Sequence, residues 1–353
     1  MKNKKIVIAG GTGFIGQAMA AYFGKDNHIV IISRQSVNAH NNGYTKQLLQ
    51  PALGYAITYR RWDGIHQEKH WTSELEGADL LINLAGKSVN CRYTEKNKKE
   101  IFDSRVNATK ALGEAIRNCT VPPKLWINAA SATIYRHATD RPQDEYNGEF
   151  HNDFSVQVCK LWEQVFAEQR TPFTRKITLR MAITLGHGGV MQPYFNLLKW
   201  GLGGRQGSGR QMYSWVHIED VCRMVEWMHE HKEMEGVYNC ASPFPVTNDF
   251  FMKTLRTVTG YSIGLPAYEW MLTIGSFLIG TEKELLLKSR WVVPAKIMET
   301  GFAFKYPKLA DAIKQIVPQF SKINRFSKNT YMGGKNKDLV KKSHKSLILD
   351  KIK

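Results

Sequence analysis

Residues Ala9 to Gly16 read AGGTGFIG, which places Gly10, Gly13 and Gly16 in G-x-x-G-x-x-G spacing. The apolar run KKIVIA precedes them and a helical pattern, Phe14 to Phe23, follows, so the glycines fall where a buried strand turns into a helix. There, the first two glycines permit a tight turn and close backbone approach to a pyrophosphate. The third lets the helix pack against the strand, and the helix N-terminus, at Phe14 and Ile15, faces the anion. The pattern predicts dinucleotide binding. A second strand, HIVIIS, ends in Ser33 followed by Arg34. NAD sites usually carry a carboxylate near this point for the ribose 2′-OH, whereas a hydroxyl and a guanidinium suit a 2′-phosphate. NADP(H) is therefore expected over NAD(H). The plainer alternative makes Arg34 a solvated surface residue.

Further strands are read at AITYRRW, DLLINLAG, KLWINAAS and KITLRMAI, with long helices at Thr94–Asn118 and Asp153–Gln169 between them. Strands alternating with helices of this length imply parallel βαβ units, hence an α/β, Rossmann-like doubly wound parallel sheet. Gln35 to Leu53 reads as an irregular connection, and the glycine-rich LGHGG and GLGGRQGSGR as long loops around a site. Helical patterns dominate after Thr247. The expected organisation is a dinucleotide-binding domain over 1–245, a smaller, mainly helical C-terminal subdomain over 246–318, and a basic tail over 319–353.

Composition narrows the class. Hydrophobic residues at 43% and charged residues at 23% of 353 are ordinary for a soluble globular protein. Five scattered cysteines without a C-x-x-C pair argue against a disulfide framework or a metal site, and fit a reducing compartment. The lysine-rich start lacks a cleavage site, and the apolar run near Trp270 is about half of the ~20 residues a bilayer span needs, so a cytoplasmic protein without a transmembrane segment is expected. Of the net charge of +18, the tail contributes +8, since residues 321–353 hold ten Lys/Arg against Asp338 and Asp350, and the body carries the other +10. This end reads as solvated and partly disordered. No helix-turn-helix, zinc finger or aromatic-basic platform points to specific nucleic-acid recognition.

GGTGFIG, NLAG (Asn83–Gly86), SATIY (Ser131–Tyr135) and WVHIED (Trp215–Asp220) together resemble the extended, or atypical, short-chain dehydrogenase/reductase superfamily of NAD-dependent epimerases and dehydratases. DSRVNAT, VCKLWE, GLGGRQGSGRQ, NCASPFPVTN and GFAFKYPKLADAI resemble, more narrowly, its "epimerase family protein" branch, which carries a C-terminal helical domain of unknown function. The resemblance covers about residues 4–318. It implies that Gly10, Gly13 and Gly16 line the pyrophosphate and that Asn83, Ala85 and Gly86 border the cofactor's ribose. It also makes Ser131 the catalytic hydroxyl and puts Arg180 near the cofactor and substrate cleft.

One superfamily feature is missing. The resemblance implies a Tyr-x-x-x-Lys pair on the helix spelled FSVQVCKLWEQ, Phe154 to Gln164, and this helix holds no tyrosine. Aligned on Lys160, the tyrosine position is Val156; aligned on Glu163, the two positions are Ser155 and Cys159. The only Tyr-x-x-x-Lys in the chain, Tyr331 with Lys335, lies in the tail and reads as chance. Candidates for the chemistry are Ser131, then Tyr135, Cys159 and Lys160, with packing the plainer reading of Tyr135 and Cys159. Three outcomes stay open: a reductase or epimerase using another acid, hydride transfer with Ser131 and water polarising a carbonyl, or a dinucleotide-binding sensor or scaffold without turnover. Arg92, Arg105, Arg136, Arg205 and Arg210 fall in segments the fold can bring to the cleft and suggest a small or nucleotide-linked anionic substrate. Tyr93, Tyr213 and Trp215 read as core or as an apolar wall, Asp220 as a cap for the helix Val221–Glu230, and His217 as structural.

Overall fold

The computed structural model describes residues 1–34, 57–272 and 287–317. The readings over 35–56 and the whole of the tail over 319–353, with Tyr331 and Lys335, lie outside the described residues. Alternating apolar side chains dictate the central layer. Ile6, Ile8, Ile29 and Ile31 face one side of the sheet, and Val7, Ala9, Val30 and Ile32 the other. Strands apolar on both faces must be covered twice, as in a parallel sheet.

The strands are β1 (Lys5–Ala9), β2 (His28–Ser33), β3 (Ile57–Arg61), β4 (Leu80–Asn83), β5 (Leu125–Ser131) and β6 (Arg175–Met181). After three short strands, β7 (Ile183–Leu185), β8 (Met212–Tyr213) and β9 (Trp215–His217), comes β10 (Gly236–Cys240). The seven-stranded sheet runs β10-β6-β5-β4-β1-β2-β3, every pair parallel. Chain order therefore reverses between β1 and β4, which opens a crevice at their carboxyl ends.

Helices α1 (Phe14–Phe23), α2 (Lys69–Thr72), α3 (Glu95–Arg117), α4 (Phe154–Ala167), α5 (Met191–Lys199) and α6 (Ile218–Glu230) follow in order. Helices α1 and α6 cover one face of the sheet through Met19, Phe23, Val221 and Met228, while α3 and α4 cover the other through Leu112, Ile116 and Phe166. Thr94 caps α3 by accepting the Asn97 amide at 3.3 Å, and Asp153 caps α4 by accepting that of Val156 at 3.1 Å.

The C-terminal region is helical: α7 (Asn248–Thr259), α8 (Ala295–Glu299) and a helix from 309 described to 317. Its described residues share cores with the rest of the chain. Ile297 and Phe302 join the core on the α1/α6 face, while Phe251, Leu255, Ile313 and Ile316 pack with Leu185, Tyr194 and Trp215. Most of the glycine-rich stretch after Gly201 serves this packing rather than an open loop. The Gly204 amide donates to Leu265 O at 3.0 Å and that of Gly207 to Ala267 O at 2.8 Å. A Cβ at Gly204 would lie 2.4 Å from Leu265 O.

Asp220 has a different role from the one its sequence context suggests. Helix α6 starts at Ile218 with His217 as its cap, the imidazole Nδ1 accepting the Glu219 amide at 3.2 Å. Asp220 lies inside the first turn, fully buried, and its carboxylate accepts the amides of Lys305 (2.7 Å) and Tyr306 (2.9 Å). It fastens the C-terminal segment to α6. Asp220→Ala leaves two amides unpaired and removes the anion beside Arg223; a loss of about 2–4 kcal/mol is expected, read as a lower denaturant midpoint.

Candidate functional site

The glycine turn is built by contacts that exclude side chains. Gly10 adopts φ +74°, and a Cβ there would lie 2.9 Å from the backbone of Leu84 and Ala85. A Cβ on Gly16 would stand 2.5 Å from Gly11 Cα. Gly13, the residue before α1, differs: a Cβ would meet nothing nearer than Gly10 O at 3.6 Å, which leaves room for a phosphate to approach the backbone. The ring of Phe14 is not turned to that space; it sits among Gly186, Gly188 and Gly189, whose added Cβ atoms would fall 2.9–3.1 Å from it. LGHGG thus clasps the start of α1. At the end of β2, the Ser33 hydroxyl pairs with Thr12 of the turn at 2.8 Å, and Arg34 is exposed.

Asn83 is the last residue of β4 and fully buried. Its Oδ1 accepts the Ala85 amide at 3.0 Å, and its Nδ2 donates to Asn128 (2.7 Å) and Thr109 (3.4 Å). The Thr109 hydroxyl also accepts Trp162 Nε1 at 3.2 Å. With every polar atom of its carboxamide engaged, Asn83 shapes the turn that carries Ala85 and Gly86 to the crevice. Beside Gly86 lies Arg105 of α3: a Cβ on Gly86 would be 3.2 Å from its Cζ. Arg105 Nη1 donates to the carbonyls of Lys87 and Ile101, each at 3.0 Å, and the guanidinium stacks 4.9 Å from the Trp162 ring centre.

Helix α4 turns Cys159 inward and Lys160 outward. Ser155, Cys159 and Trp162 lie on its buried face, whereas Lys160 is exposed, its Nζ 5.8 Å from the Phe150 ring centre. Glu163 grips Arg180 of β6 through two bonds of 2.8 and 2.7 Å, both side chains largely buried at 14% and 8% exposure. The frame counted back from Glu163 therefore puts Cys159 and Ser155 inward, at i and i−4. Cys159 is 4% exposed, and burial pushes its thiol up to about 12, so it is a neutral packing group rather than a thiolate. The Ser155 hydroxyl is 3.4 Å from that of Tyr93, a contact that reading Tyr93 as an apolar wall misses. The one signal available was its place just before the cap Thr94.

Tyr135 and Arg180 belong to a closed network. Arg180 Nη1 donates to the Tyr135 hydroxyl at 2.8 Å, which donates to Asn239 at 3.0 Å, and burial raises the phenol's pKa. Ser131, at the end of β5, accepts the Thr133 amide at 3.2 Å, and its O–H has no acceptor among the described residues. Of the arginines proposed for substrate, Arg136 is taken by Asp140 (2.9 and 2.8 Å) and Glu149. Arg205 and Arg210 are exposed on the glycine-rich stretch. Arg92 precedes Tyr93, its carbonyl accepting Asn97 Nδ2 at 2.7 Å. Sequence reasoning treated the five arginines alike; among them, Arg105 is the one whose guanidinium lies beside Gly86. His217 Nε2 donates to Gln315 Oε1 (3.0 Å), a contact within the fold. Among the described residues no His/Cys/Asp/Glu group could hold a metal, and no helix is long and apolar enough to cross a membrane.

A parallel seven-stranded sheet with a glycine turn at its switch point defines a dinucleotide-binding α/β protein. Residues 6–241 match the NAD dependent epimerase/dehydratase family, and residues 269–316 match a domain of unknown function, DUF1731. The chain belongs to the NAD-dependent epimerase/dehydratase family. It is 32% identical over 317 residues to an epimerase family protein of Staphylococcus saprophyticus, covering 89% of this chain and 99% of that one. It is 29% identical to the human epimerase family protein SDR39U1, covering 89% and 99%. The crystal structure of human SDR39U1 (isoform 2) with NADPH superposes with a TM-score of 0.74 at 26% identity, over 88% of this chain and 98% of that one. A UDP-N-acetylglucosamine 4-epimerase from Methanobrevibacter ruminantium shares the fold, with a TM-score of 0.69 at 17% identity.

The burial of Cys159 has a direct chemical consequence. In the folded protein at pH 7.5 it should resist alkylation by iodoacetamide and react on denaturation; rapid native labelling at Cys159, read by mass spectrometry, would contradict its placement.

Proposed function

We propose that the protein binds NADP(H) along the carboxyl edge of the sheet and acts as an oxidoreductase or epimerase on a small or nucleotide-linked anionic substrate. The observation that carries the cofactor preference is the end of β2: a hydroxyl at Ser33, hydrogen-bonded to the glycine turn, then the exposed guanidinium of Arg34. An aspartate or glutamate at either position would repel a 2′-phosphate; these residues can hold one. NADPH in the crystal structure of the human relative supports the same reading.

In this reading Gly10 and Gly13 bring backbone to the pyrophosphate, and Asn83 holds the turn of Ala85 and Gly86 against the ribose. When bound, the nicotinamide supplies or accepts the hydride. Ser131 accepts a backbone amide, so its own proton is directed outward and can be donated to a substrate oxygen. The step proceeds without a phenol on α4: Ser155 and Cys159 stand at the inward positions, and neither is an acid of the required strength. This same absence favours a second reading, a dinucleotide-binding sensor or scaffold that turns nothing over.

Titration separates these possibilities. NADPH should bind more tightly than NADH, and Arg34→Ala should weaken NADPH by about ten- to thirtyfold, as expected for one charge-assisted contact, while leaving NADH unchanged. Equal or tighter binding of NADH would sink the assignment. With NADPH bound, oxidation or epimer formation on a panel of carbonyl compounds and UDP-sugars supports the enzyme; silence across the panel, with tight binding, supports the sensor.

A further inference from the structure

The sheet order limits where a dinucleotide can run. The glycine turn follows β1, and Ser33 and Arg34 end β2 on one side of it. A cofactor with its pyrophosphate on the turn and its 2′-phosphate at β2 must extend its other half the opposite way, over the carboxyl ends of β4 and β5. Gly86 and Ser131 are there, and so is Arg105.

Arg105 is an unusual cation for such a place. Burial pushes its guanidinium below the usual range, and among the described residues no carboxylate lies within ion-pair distance of it. Nη1 is committed to the carbonyls of Lys87 and Ile101, which fix the plane of the group, and Trp162 covers one face. Nε and Nη2 make no hydrogen bond among the described residues, and neither is sealed from solvent. Arg180 and Arg136, by contrast, both have carboxylate partners. A desolvated, oriented cation with spare donors is stabilised when an oxygen-rich or anionic group arrives.

We infer that Arg105 is a cofactor-binding residue that holds the nicotinamide-side ribose and phosphate oxygens, using the donors its backbone contacts leave spare beside Gly86. The inference rests on the proposed cofactor reading and adds the second anchor to the one at β2. It also supplies, from α3, a positive charge next to the inward face of α4, where Cys159 provides none. The cation is anchored by two carbonyls and a ring rather than by a flexible stem, so it is in place before the ligand arrives.

Calorimetric titration of the full chain with two probes tests this. NADPH spans the crevice; adenosine 2′,5′-bisphosphate carries only the adenine half. Arg105→Met should weaken NADPH by about ten- to a hundredfold and leave the bisphosphate unchanged, and Arg105→Lys should recover part of the loss. Unchanged NADPH binding in Arg105→Met overturns the inference, and so does equal weakening of both probes, which marks a purely structural role. The bisphosphate also reports whether each variant is folded; if Arg105→Met does not fold, Arg105→Gln is read by the same comparison. Failure of wild-type protein to bind either probe strikes instead at the cofactor reading itself.

Discussion

The site depends on how closely the β1–α1 turn approaches the end of β4. Gly10 has its backbone in the left-handed region and lies against Leu84 and Ala85 with no room for a methyl group. That contact closes the crevice at the switch point and aligns the carboxyl ends of β1, β4 and β5. The opposite wall is held by Asn83, whose carboxamide ties the β4 turn to Asn128 of β5 and Thr109 of α3. Buried polar groups are costly when unpaired, so a saturated network of this kind specifies one geometry. Arg105 reaches the crevice because α3 is seated by the same network.

The second constraint is the Glu163–Arg180 pair. It fastens α4 to β6 and fixes which side chains of the helix turn inward. Those are Ser155 and Cys159, not Lys160. The groups that meet them come from outside the helix: the Tyr93 hydroxyl beside Ser155, and the Arg105 guanidinium over Trp162 one turn beyond Cys159. The polar and charged groups facing these positions thus come from the β4–α3 segment, while α4 contributes mainly shape.

The glycine turn, the alternating strands and the sheet order were legible in the sequence because each follows from local chemistry: φ at glycine, a period of two, and helices long enough to cross over. The helix frame was not. Two alignments of VCKLWE were equally good as strings, and which side chains turn inward depends on the long-range pairing of Glu163 with Arg180. Asp220 was misread for a similar reason, since its partners, the amides of Lys305 and Tyr306, are remote in sequence. The glycines after Gly201 signalled freedom, but close contact with residues 265–267 needs glycine equally. Five arginines looked alike in composition, and only burial and ion pairing separate Arg105 from Arg136.

A crystal structure of the full chain with NADPH tests the central claim most directly. The account predicts the pyrophosphate over Gly13, the 2′-phosphate at Ser33 and Arg34, and the nicotinamide half over the ends of β4 and β5, with Arg105 in hydrogen-bond contact with it. A dinucleotide running the other way along the sheet, or one bound away from the glycine turn, would contradict it.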